Sequence, residues 1–284
     1  MLRQRVITAI ALLVVLFAAL LAPGAWPLIA LLTVAAACAL WEWLRLTWPQ
    51  AHPMAPLAAT LALVALCAGG AAWMNMAAPL RFPAIQIVVN HWLVPFVSAV
   101  WVLGASVIVV QGNTGVRGSA WLCVFGVLAV LAAWAALVQM FVLHGAWFLV
   151  SLLALIWAAD IAAYFTGRAF GRHKLAPRVS PGKTWEGALG GVVASMLWVM
   201  LSAHWAGSFG ALLMRHWPAW LVAVAAAALG ALSIVGDLFE SLLKRRAGVK
   251  DSSGLLPGHG GVYDRLDALL PVAPIALLLT LGMI

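Results

Sequence analysis

The feature that most constrains this chain is a row of long apolar stretches that leaves little room for anything else. Nine can be drawn, over 6–22, 25–44, 54–79, 84–109, 119–142, 147–163, 187–206, 218–236 and 266–283. A helix needs about 20 apolar residues to cross a bilayer, and in lipid only helices and closed barrels satisfy their own backbone. Several stretches are hydrophobic all round rather than along one stripe, which suits helices in lipid. The third is interrupted at Gly69–Gly70, which predicts a tilt or kink. The 284 residues are 65% hydrophobic and 8% charged, whereas soluble domains run at roughly 45–50% and about 25%. That balance excludes a soluble enzyme, a disordered chain and a disulfide-stapled secreted module. The expected fold is an all-α, polytopic integral membrane protein with about nine transmembrane helices.

Sixteen basic and eight acidic residues give a formal charge of +8. On a soluble protein this would suggest nucleic acid; here it reads as orientation, and no nucleic-acid partner is expected. Nine spans place the N-terminus and the even-numbered loops on one side. That side collects Arg3, Arg5, Arg45, Arg117 and every basic residue from Arg168 onward except Arg215, while the other side holds only Arg81 and Arg215. Fourteen against two makes the even loops cytoplasmic. Cys38, Cys67 and Cys123 each lie in an apolar run and read as small hydrophobes. The first stretch, preceded by Arg3 and Arg5, reads as an uncleaved span rather than a signal peptide.

Acidic residues locate the chemistry. Seven of the eight lie between 160 and 267, and the one earlier acid, Glu42, sits near a helix end. Residues 1–145 therefore read as an N-terminal, lipid-facing scaffold and 146–284 as a C-terminal catalytic membrane domain. Acids at or within a span are by default functional candidates. One polar segment runs from Asp160 through Arg168, Arg172, Lys174 and Ser180-Pro-Gly-Lys183-Thr184-Trp-Glu186-Gly187. The other runs from Asp237 through Lys244-Arg245, Lys250-Asp251, His259-Gly260-Gly261 and Asp264-Arg265-Leu-Asp267. Both lie on the same side, so they can meet over one site. Asp237, Glu240, Ser241 and Lys244 fall at i, i+3, i+4 and i+7, one stripe that must face the bundle interior or a wet cavity.

Each feature has a plainer alternative. Asp237 pairs with Lys244 or Arg245 in that reading, Asp160 with Arg168, and Asp264 or Asp267 caps a helix. Gly187 and Gly191 read as a close helix contact. The inventory nevertheless favours a ligand. Carboxylates suit Mg²⁺, Lys and Arg suit phosphate, and Gly260–Gly261 lets backbone approach closely. Together these are the parts of phosphoryl or nucleotidyl transfer. Gly182-Lys183-Thr184 ends like a Walker A loop, but Pro177 stands where that motif needs Gly. HExxH, GxSxG and the Asp-Gly/Ala-Arg pattern of CDP-alcohol phosphotransferases are missing.

The stretch from Ser241 to Asp267, with Lys244-Arg245, Lys250-Asp251, Ser253, Leu256-Pro257, His259-Gly260-Gly261 and Asp264-Arg265-Leu-Asp267, closely resembles the motif of phosphatidate cytidylyltransferases. Ser180 to Gly187 resembles that family's second landmark, departing at Gly182, where many members carry Lys. The resemblance implies transfer of CMP from CTP to phosphatidic acid, giving CDP-diacylglycerol and pyrophosphate. It implies Mg²⁺ on Asp237 and Asp264, with K⁺ as a neighbour, and Asp267 and Asp160 as further metal or supporting groups. Lys244, Arg245, Lys250 and Arg265 are then expected on phosphates. Ser180, Lys183, Thr184, Asp251, Gly260 and Gly261 are expected to bind substrate, and His259 to orient a phosphate or shuttle a proton. The implied partners are CTP, phosphatidic acid, membrane lipid and a second copy of the chain as a homodimer. The expected location is the bacterial inner membrane. Competing readings are a cytidylyltransferase for another lipid phosphate, a transporter, and a silent lipid-binding scaffold.

Overall fold

Apolar length and local stop signals build the chain into helices. A computed structural model describes residues 2–48, 54–75, 83–114 and 119–283; Arg81, Arg117 and residues 76–79 of the third stretch lie outside the described residues. The first helices are α1 (Leu2–Leu21), α2 (Trp26–Thr47) and α3 (Met54–Asn75). A continuous helical run over 83–111, α4, contains π turns at Val89–Leu93 and Val100–Ala105. Pro95 follows the first of these and has no N–H to return to the preceding turn, a common reason for such a slip. Next come α5 (Ala120–His144) and α6 (Ala146–Phe170). A two-stranded antiparallel hairpin, β1 (Lys174–Ala176) and β2 (Ser180–Thr184), pairs Lys174 with Thr184 and Ala176 with Ser180. The rest is α7 (Trp185–Ser202), α8 (Phe209–His216), α9 (Ala219–Ala247), the single turn α10 (Tyr263–Leu266) and α11 (Leu269–Thr280).

The protein is thus a multi-pass, all-α membrane protein, and each of the nine apolar stretches carries a helix. Six helices among the described residues are long and apolar enough to cross a membrane: α2, α4 from Gln86, α5, α6, α7 and α9. The stretch 266–283 differs most from expectation. Its helix, α11, has 12 residues, about 18 Å at 1.5 Å per residue, and it is mostly buried within the protein. The sixth and eighth stretches run on as helix to Phe170 and Ala247, so Asp160 and, as the spacing predicts, the Asp237–Lys244 stripe sit on helices.

Close backbone approach joins the two site-bearing helices. A Cβ at Gly187 would lie 2.8 Å from the Ala163 carbonyl, and one at Gly191 2.9 Å from the Ala159 carbonyl. The small-residue contact expected at these positions therefore locks α7 against α6.

The N-terminal half is more than a lipid-facing scaffold. Twelve residues of α2 are buried, and α5 packs against both α2 and α11. Trp43 is fully buried at their centre, with ring centroids of Tyr263, Phe239 and Phe125 at 5.2, 5.4 and 5.8 Å. Its indole N–H donates to the Leu122 carbonyl at 2.8 Å. The indole lies over Gly126, where a Cβ would come 2.6 Å from Trp43 Cε2. Gly126→Ala is therefore expected to destabilise the protein by about 1–3 kcal/mol, as overpacking does. Thermal unfolding in detergent checks this; an unchanged midpoint would show that the indole can move aside.

Candidate active site

The site forms where α6, the hairpin and α9 end on the same side. Thr184 starts α7: its hydroxyl accepts the Gly187 N–H at 3.1 Å, an N-cap. Glu186, in the first turn of α7, accepts the His173 N–H at 3.2 Å and lies 2.7 Å from His173 Nδ1. These contacts anchor the hairpin, whose second strand carries Ser180, Gly182 and Lys183 over a cavity of about 500 Å³. Asp160, Tyr164 and Arg168 of α6 and Asp237 of α9 line the same cavity.

The two polar segments meet there. Lys183 Nζ lies 2.5 Å from Asp237 Oδ2, and Arg245 Nε donates to the Val179 carbonyl at 3.3 Å. The plainer pairings do not occur. Asp237 is bridged by Lys183 rather than by Lys244 or Arg245, and Arg168 donates to Tyr164 Oη at 3.1 Å rather than reaching Asp160.

Lys244 points inward instead. Its ammonium sits 2.6 Å from Glu240 Oε2 and 2.7 Å from Asp264 Oδ1. Glu240 is 1% exposed, and its other oxygen, Oε1, has no hydrogen-bond partner. Asp237, Glu240 and Asp267 can each bring one carboxylate oxygen within 4.8 Å of the others. Three carboxylate oxygens with one buried orphan acceptor among them match the donor set of a hard divalent cation such as Mg²⁺. The three acids expected on metal are thereby divided. Asp237 and Asp267 meet around Glu240, and Asp264 joins the group through the Lys244 ammonium that it shares with Glu240.

The loop from Ser252 to Asp264 wraps around Asp264. Its Oδ2 accepts the Gly261 N–H at 2.7 Å, the Ser252 N–H at 3.1 Å and the Ser252 hydroxyl at 3.0 Å. Burial pushes this carboxyl up, but the Glu240 and Lys244 side chains and the Gly261 N–H outweigh it and hold Asp264 below the usual carboxylate range. Gly260 turns the loop at φ +83°, and Leu256 N–H donates to the Gly260 carbonyl at 2.8 Å. Arg265 Nη2 donates to the His259 carbonyl at 2.7 Å, and His259 Nδ1 is buried without a partner. Lys250 and Asp251 are exposed beside this loop.

Two acids absent from the expected site belong to this constellation. Glu240 was visible in the helical stripe. Glu42, assigned to the scaffold, is fully buried beneath the loop, where it accepts four hydrogen bonds from Ser252, Ser253, Val262 and Tyr263. The available signal was its isolation: a lone acid within an apolar stretch is costly and asks for a reason.

Comparison with known proteins follows the same lines. The model of the cytidylyltransferase family matches residues 3–281. The chain is 40% identical over 283 residues to the phosphatidate cytidylyltransferase of Pseudomonas aeruginosa, covering 97% of this chain and 95% of that protein. Similarity to the proteins of that name from Haemophilus influenzae and Brucella suis is 46% identity over 131 residues and 50% over 136. Those matches cover 46% and 48% of this chain, and 44% and 47% of the relatives.

Proposed function

The chain belongs to the cytidylyltransferase family, and we propose that it transfers CMP from CTP to phosphatidic acid, forming CDP-diacylglycerol and pyrophosphate. The observation that carries this reading is the junction of two cation-bearing segments, through Lys183 and Asp237, over a cavity beside a group of three acids. Two polyanions must be brought together for this reaction, and fixed cations and oxygen ligands are what oppose their repulsion.

In the proposed reaction a phosphatidate oxygen attacks the α-phosphorus of CTP in line. The new P–O bond forms as the bond to the bridging α–β oxygen breaks, and pyrophosphate leaves with that electron pair. The attacking phosphate is already ionised, so no general base is needed. Lys183 and Arg168, at the cavity wall, orient phosphate oxygens. Thr184 and Gly187 hold the strand-to-helix turn that presents Lys183. Lys250 from the exposed loop and Arg265 from α10 reach phosphates, and Arg245 steadies the hairpin through Val179. Asp237, Glu240 and Asp267 would hold Mg²⁺, with Asp264 joined to them through Lys244. A bound cation there would neutralise charge between the two phosphates. We place the protein in a bacterial inner membrane, with this face towards cytoplasmic CTP.

The test is incorporation of labelled CTP into lipid by purified protein with phosphatidic acid and Mg²⁺, beside Asp264→Asn. Wild type is expected to make CDP-lipid, and the variant to lose at least about 100-fold. A folded wild type that makes none, from phosphatidic acid or from other lipid phosphates, would refute the reading. Product from a polyprenyl phosphate alone would move the assignment to that substrate.

A further inference from the structure

We infer that Glu42 is the positioning residue of this site: a carboxylate on α2 that caps α10 from another part of the chain and thereby sets the pose of Asp264. The inference rests on the cytidylyltransferase reading for what is positioned, but its geometry stands alone. Glu42 is the only acid among the first 159 residues. It is 0% exposed and is not among the residues lining the cavity.

Its two oxygens are fully used. Oε1 accepts the Val262 N–H at 3.0 Å and the Ser253 hydroxyl at 2.5 Å; Oε2 accepts the Tyr263 N–H at 2.6 Å and the Ser252 hydroxyl at 2.9 Å. Four donors fill the roughly four acceptor sites of a carboxylate. Nothing is left for a metal ion, so Glu42 acts through the loop. Val262 and Tyr263 open α10, where the first N–H groups of a helix have no partner of their own. The Glu42 carboxylate satisfies both of them. The next residue is Asp264.

The loop sequence is fitted to Glu42. Gly261 is buried between the two acids: a Cβ on it would stand 2.5 Å from Glu42 Oε1 and nearer still to the Ser252 hydroxyl. Ser252 lies between Glu42 Oε2 at 2.9 Å and Asp264 Oδ2 at 3.0 Å. The one hydroxyl proton goes to Glu42 or to Asp264 and not to both; when it goes to Glu42, Ser252 still holds Asp264 through its backbone N–H at 3.1 Å. The Asp264 carboxylate is thus held by a loop whose own anchor is 210 to 221 residues away in sequence.

Glu42→Gln separates positioning from packing. The amide is nearly isosteric, yet each carboxylate oxygen takes one backbone N–H. Either orientation of the amide therefore turns its NH₂ group against a backbone donor that cannot rotate away. Groups that orient metal ligands typically cost about 10–100-fold in activity or metal affinity when changed. Glu42→Gln is expected to lower kcat in that range, with the KM for CTP shifted far less. It should raise the Mg²⁺ needed for half-maximal rate and accelerate amide exchange over 252–264 at least about tenfold, with exchange in α5 unchanged. Glu42→Asp, which keeps both oxygens, should recover part of each effect. A Glu42→Gln protein with wild-type kcat, or with unchanged exchange over 252–264, overturns the inference. If that variant does not fold, Ser253→Ala removes a single donor; it should speed exchange over the same segment by a few-fold, and no change there counts against the role equally. If wild type makes no CDP-lipid but Glu42→Gln loosens the loop, the catalytic reading falls and the cap remains.

Discussion

Asp237→Asn is expected to lower CMP transfer on the order of 10³-fold while leaving thermal stability nearly unchanged. Asp237 has two roles that no other acid combines. It contributes an oxygen to the group with Glu240 and Asp267, and it alone of the three lines the cavity. It also takes the Lys183 ammonium from the hairpin, so it joins the acids to the segment that carries the cations. Asparagine keeps the shape and a hydrogen-bonding oxygen but removes the charge. The ion pair is partly exposed, at 25% and 34% of the two side chains, and pairs of that kind contribute only about 0–1 kcal/mol to folding. The loss should therefore be chemical. Initial rates of labelled CTP incorporation across a Mg²⁺ titration, with a melting curve on the same sample, decide it. A wild-type rate would remove Asp237 from the machinery, and a large fall in melting temperature would make its role structural.

The parts of this architecture that were legible in the sequence are those written in local spacing. The i, i+3, i+4 stripe from Asp237 to Lys244 lies on one helix as read, because polar groups at that period can only leave lipid together. Gly187 and Gly191 touch α6 as read, since small residues four apart serve little else in a span. What local pattern could not supply was partner choice. Lys244 and Lys183 are both cations beside acids, yet Lys183 crosses from the hairpin to Asp237 and Lys244 stays with Glu240 and Asp264. Glu42 was passed over because its four donors lie more than 200 residues away. The hairpin, with Pro181 and Gly182 in its second strand, has no alternating apolar pattern to announce it. The last stretch was read as a span from its composition, although the turn carrying Asp264 ends at Leu266 and the helix that follows Asp267 has only 12 residues.

Lys244→Met should destabilise the fold more than any other single change at the site, by about 3–5 kcal/mol, the usual consequence of removing one partner from a buried pair. The ammonium is only 15% exposed and is the one cation within ion-pair distance of Glu240 and Asp264 among the described residues. Methionine fills most of the same volume, so packing changes little; what remains is two neighbouring carboxyl groups without the cation they share. The double variant Lys244→Met/Glu240→Gln tests the cause. It removes one of the two acids together with the cation, and Asp264 keeps the Gly261 and Ser252 N–H groups, so it should recover a large part of the lost stability. Its activity should stay low, because Glu240 no longer offers an anionic oxygen beside Asp237 and Asp267. Stability returning without activity would assign Lys244 to holding the two acids together and Glu240 to the chemistry. A double variant as unstable as the single one would mean that Lys244 supports the bundle through its stem, and that the charges on either side of it are tolerated for other reasons.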